Sequence, residues 1–177
     1  MKSKKELILE TALELFAKKG FAATSTSKIA KEAGVSEGLI FRHFSNKNGL
    51  LESILNLGKQ RSLTLFEGIS ETEKPLEKLK YILQIPFKIP ENEYPFWKLL
   101  YAIKWQSDNY DEEISHQLKA IVIKIFRQLE YPEPELEAEF VMMLFDGMAT
   151  AVLLKNNKES EAIENLILSK YNIISKR

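Results

Sequence analysis

The 177-residue sequence has no cysteine and only two histidines, His43 and His116. Without cysteine there is neither a disulfide framework nor a zinc finger, which agrees with a reducing compartment. Two histidines, no thiol and no glycine-rich phosphate loop leave no place for a nucleophile–base pair or a metal cluster. No enzyme, metal or cofactor is therefore expected. Long apolar runs are also missing, and the N-terminus lacks the apolar core of a secretory signal, so a soluble cytoplasmic protein with no membrane segment is expected. Charge of one sign is not in excess either, since 25 Lys and Arg balance 25 Asp and Glu.

That balance is uneven along the chain. Residues 1–50 hold 9 Lys and Arg against 5 Glu, a net of +4, which leaves −4 for the remainder. A basic head on an acidic body fits this polarity. The length exceeds what one small head needs, so a second, larger core is expected beside it.

Glycine is scarce, with seven in the chain, and Gly34 falls where a turn is required. Before it, Ser25 and Thr26 offer hydroxyls to cap a short helix running to Ala33. Gly34 can take the left-handed position after that helix, and Ser36 then offers a cap for a second helix ending at Phe44. Ile29, Ala30 and Ala33 form an apolar face on the first helix, as Val35, Ile40 and Phe44 do on the second. Gly38, Leu39 and Arg42 fall opposite, where burial does not explain them and insertion into a DNA groove does. The pattern is a helix-turn-helix.

Gly20-Phe21, Ile29-Ala30, Ala33-Gly34-Val35-Ser36, Gly38, His43-Phe44, Lys47 and Leu50 stand in an order and spacing that resembles the TetR/AcrR family of transcriptional regulators. The resemblance covers roughly the first third of the chain; the rest matches only in being helical. It implies an all-α fold of about nine helices, in which a three-helix helix-turn-helix head is joined by a helix to a helical ligand-binding and dimerisation body. The expected segments are a DNA-binding domain at 1–47, a connecting helix at 48–68 and an effector-binding and dimerisation domain at 69–177. The implied function is transcription regulation, as a repressor that binds an inverted-repeat operator in double-stranded DNA as a homodimer and is released by a small-molecule effector. A helical adaptor that binds only protein partners is the alternative, and it predicts no salt-dependent DNA binding.

Carried over residue by residue, the DNA contacts would be Thr26, Ser36, Glu37, Gly38, Leu39, Phe41, Arg42, His43 and Lys47. Gly38 lets the backbone approach, Leu39 can meet a thymine methyl, and Arg42 can fork onto guanine or take a phosphate. Thr26, Ser36, His43 and Lys47 suit phosphates, which fix register without reading sequence. The sequence departs from the family at Phe41, where tyrosine is usual and a phosphate-binding hydroxyl is lost. Glu37 also places a negative charge on the groove face, able to accept from cytosine N4 but repelled by phosphates.

Elsewhere, Lys2 to Lys19 carries Leu7, Ile8, Ala12, Leu15 and Phe16 at helical spacing, stopped by Gly20. Lys2, Lys4 and Lys5 either reach phosphates from an N-terminal arm or are simply solvated. Ser45-Asn46 can cap a fourth helix running to about Gly68, with Lys47 in its first turn as a phosphate seat. The body is expected to begin near residue 70 and to hold helices at about 75–87, 96–107, 114–129, 135–155 and 159–175. Trp97, Tyr101 and Trp105 form a stripe that either lines a pocket for an apolar or aromatic effector or fills a core. The last two helices, with Met143 and Leu144 on one and Ile163, Leu166, Ile167 and Ile174 on the other, suit a homodimer seam; an internal core is the alternative.

Overall fold

The computed structural model describes residues 2–106, 112–155 and 159–173, apart from the side chains at 104–106 and 155. Among these residues there are nine α-helices and no strand. None of the helices is long and apolar enough to cross a membrane. The chain divides into two compact units, Met1–Gln60 with Glu91–Asp108 and Arg61–Pro90 with Asn109–Arg177.

In the first unit, α1 spans Lys4–Lys19. Ser3 and Glu6 form a reciprocal capping box, the Glu6 N–H donating to Ser3 Oγ at 3.2 Å and the Ser3 N–H to Glu6 Oε2 at 2.8 Å. This cap sets the start at Lys4 rather than Lys2. Lys4 and Lys5 thus lie in the helix and Lys2 pairs with Glu10 at 2.7 Å, so these lysines do not form a separate arm. Ile8, Ala12, Leu15 and Phe16 are buried as their spacing requires, whereas Leu7 stays 39% exposed. α2 spans Thr26–Glu32 and α3 Glu37–Phe44. Between them Gly34, at φ +64°, donates to Lys31 O while Val35 N–H donates to Ala30 O, which closes the first helix by a Schellman turn.

α4 runs over Lys47–Glu67 and enters the head core through Leu50 and Ile54. Asn46 Oδ1 caps it by accepting from the Gly49 N–H at 2.9 Å. α6, Tyr94–Gln106, packs along α1 with Phe96 and Leu99 buried. Residues 91–108 therefore group with the head in space, although the sequence suggested one continuous body from 69 onward.

The second unit contains α5 (Pro75–Gln84), α7 (Glu113–Gln128), α8 (Pro134–Lys155) and α9 (Ser160–Lys170), with short 3₁₀ turns at Gly68–Glu71 and Ile85–Lys88. Pro75 takes the first turn of α5, where its missing N–H costs nothing. The core joins Leu79, Ile82 and Leu83 of α5, Val122, Ile125 and Phe126 of α7, Val141 and Met148 of α8, and Ile167 and Leu168 of α9. α9 ends at Lys170, short of the expected 175, and Ile174 lies outside the described residues.

Candidate nucleic-acid interface

Two opposite faces of α3 settle how it is mounted. Ile40 is fully buried and Phe44 only 4% exposed, and both join the head core, which fixes the helix against α2. On the other side Gly38, Arg42 and His43 are exposed, as is Phe41. A β-carbon placed on Gly38 would meet nothing within 4 Å. The head therefore presents a small backbone notch flanked by a cation and aromatic rings, with Leu39 half-buried at its edge.

Three of the sequence-predicted residues have partners within the head. Thr26 Oγ1 donates to Glu37 Oε1 at 2.6 Å, a short, charge-assisted bond that ties the start of α2 to the start of α3. A hydroxyl carries one proton, so while this bond holds Thr26 has no proton for a phosphate. Lys47 Nζ donates to Phe21 O at 3.0 Å and Ala22 O at 3.5 Å, and lies 4.3 Å from the centre of the Phe21 ring. It latches the start of α4 to the loop after α1. Ser36 occupies the N-cap position of α3 in extended backbone, but its hydroxyl makes no cap bond, contrary to the expectation that it would. Ser25 does cap α2, accepting from the Lys28 N–H at 3.2 Å.

Two features of the head were missed by sequence reasoning. Thr24 is buried and its hydroxyl faces Gly20 O at 2.9 Å and Leu15 O at 3.4 Å, satisfying carbonyls at the end of α1. The Lys28 amine, as hydrogen-bond partner and as like charge, holds the Lys19 ammonium below its ordinary value of 10.5. No local signal marks that pair, since the residues lie on different helices.

The aromatic stripe on α6 falls largely on the core alternative. Trp97 is 9% exposed, donates its indole N–H to Glu93 Oε2 at 3.0 Å and meets Phe96 edge-on at 5.3 Å. Tyr101 is half-buried, and the Trp105 side chain lies outside the described residues. Among the described residues no group of three or more His, Asp or Glu is placed to hold a metal ion.

Residues 8–54 match the family profile of bacterial regulatory proteins of the tetR family. The chain is 42% identical over 83 residues to the uncharacterized HTH-type transcriptional regulator YerO of Bacillus subtilis, covering 45% of this chain and 29% of that protein. It is 32% identical over 83 residues to the fatty acid metabolism regulator protein of the same organism, covering 46% and 43%. The chain thus spans less than half the length of these curated relatives. Among solved structures, a TetR-like transcriptional regulator from a Rhodococcus species superposes with a TM-score of 0.80 over 98% of this chain and 97% of that one, at 17% identity. FadR of Bacillus subtilis, in complex with stearoyl-CoA, gives 0.72 over 93% and 95%, at 23% identity. At these identities the structural likeness establishes the fold.

Proposed function

Because the chain belongs to the TetR/AcrR family, whose members compared above are regulators and not enzymes, we propose that it is a DNA-binding transcription regulator. The observation that carries this is the division of α3, with Ile40 and Phe44 locked in the core and Gly38, Phe41, Arg42 and His43 left on the surface. A helix held from one side and bare on the other is what entry into a major groove requires. The net +4 of residues 1–50 supports the same reading, as does the cation pair Lys19 and Lys28.

The finer proposal is a repressor that binds an inverted repeat as a homodimer. It rests on α8, where Leu136, Phe140, Met143 and Leu154 are 50% to 67% exposed while Val141, Met148 and Val152 are buried behind them. Leu166 of α9 is 57% exposed as well. An apolar stripe of this length on an isolated chain is matched by a second copy of itself in a two-fold bundle. Release by an apolar small molecule is proposed by analogy with the stearoyl-CoA complex of FadR.

Titration of the full chain against duplex DNA at about 50 and 200 mM salt tests the reading, because six to ten phosphate contacts cost roughly 10³–10⁵ in affinity between those conditions. Salt-dependent binding is expected. Absence of binding at the lower salt favours the protein-only adaptor.

A further inference from the structure

We propose that Thr26 is a positioning residue that holds Glu37 as a selector for cytosine, one position in each half-site. The inference rests on the DNA-binding reading above and concerns which groups supply its sequence preference. Glu37 occupies the first turn of α3, beside the open notch at Gly38, and Thr26 donates to its Oε1 at 2.6 Å across the α2–α3 turn. A free glutamate must surrender rotamer freedom when it meets a base. The Thr26 hydroxyl fixes the side chain before DNA arrives and leaves Oε2 as the acceptor toward the groove.

The chemistry of a fixed carboxylate selects among the four bases. It offers acceptors only. Thymine O4 and guanine O6 and N7 are acceptors too, and repel it. Adenine has the N6 donor, but its N7 acceptor lies alongside, whereas cytosine shows the N4 donor with no acceptor next to it in the major groove. With Oε1 already occupied, one donor is what Glu37 can take, and cytosine supplies it without an opposing lone pair. Thr26 loses nothing as a helix former by this role, because Ser25 provides the cap of α2.

Selection of bound duplexes from a randomised DNA pool tests the inference, using the full chain and the variants Glu37→Gln, Thr26→Val and Thr26→Ser, with folding checked by circular dichroism. The unsubstituted chain is expected to enrich a motif with cytosine at one position per half-site, preferred about tenfold over other bases. Glu37→Gln moves that position toward adenine, which a carboxamide matches at N6 and N7. Thr26→Val reduces the preference to about twofold or less, leaves binding to random duplex unchanged, and Thr26→Ser restores the preference. If the chain enriches a motif that Glu37→Gln and Thr26→Val enrich unaltered, or if Thr26→Val weakens every duplex equally, the inference is overturned and the DNA-binding reading stands. If the unsubstituted chain enriches nothing, both fall.

Discussion

Lys47 divides one ammonium between two tasks. Two of its three protons are directed at Phe21 O and Ala22 O, and the charge rests near the Phe21 ring. The third remains for a phosphate. Lys47→Ala should therefore cost about 1–2 kcal/mol of stability in urea unfolding, from the lost hydrogen bonds and ring contact. It should also weaken binding to all duplexes alike and lower the salt slope by roughly one per head. Arg42 is exposed, so Arg42→Ala should leave the melting temperature unchanged and cost about 1–3 kcal/mol per half-site on a selected duplex. Tyr171 offers a contrasting test in the second unit. Its hydroxyl is buried without a hydrogen-bond partner, and burial, with Glu137 and Tyr131 nearby, pushes its pKa up to about 12. The folded state thus favours the neutral phenol, a contribution fully present below the ordinary value of 10 and lost as pH rises toward 12. Tyr171→Phe should match or exceed the parent in stability at pH 7 and lack that alkaline loss; a variant that unfolds more readily at pH 7 would contradict the assignment. None of these pairings was legible in the sequence, because Thr26 with Glu37 and Phe21 with Lys47 share no local spacing rule and meet only through tertiary packing.

At the scale of elements, periodicity and caps carried most of the fold. Gly34 closes its helix as its position suggested, and the last turns of α7 and the start of α8 fall around Tyr131 to Pro134 as expected. Periodicity shows which residues a helix buries and is silent on what covers them, which is why the grouping of α6 with α1 could not be read from Trp97 and its neighbours. Gly49 was equally silent. A β-carbon there would sit 2.1 Å from Phe44 O, where the chain folds back into α4. Gly49→Ala should therefore destabilise the head by about 1–3 kcal/mol or more, seen as a lower urea midpoint. Glu130 is the converse case, a side chain at φ +58° after α7 whose N–H donates to Arg127 O. Glu130→Gly should relieve roughly 1 kcal/mol of left-handed strain, partly offset by the entropy glycine gains when unfolded, so the melting temperature should rise or hold.

For the whole molecule, the account requires a second copy of the chain. Met143 is 67% exposed on α8, so Met143→Glu should leave the fold intact and bury two unpaired carboxylates at a two-fold seam. Light scattering should then report a monomer with weakened affinity for duplex DNA; a folded dimer with unchanged affinity would place the seam elsewhere. The central claim is that the exposed face of α3 enters the major groove of DNA, twice per assembly. Footprinting of the full chain on genomic fragments tests it most directly. The account predicts two protected half-sites in inverted repeat, about 34 to 36 Å apart or somewhat more, with protection lost in Arg42→Ala. A chain that protects no fragment at low salt, or protects the same sites equally well without Arg42 and Lys47, would contradict it.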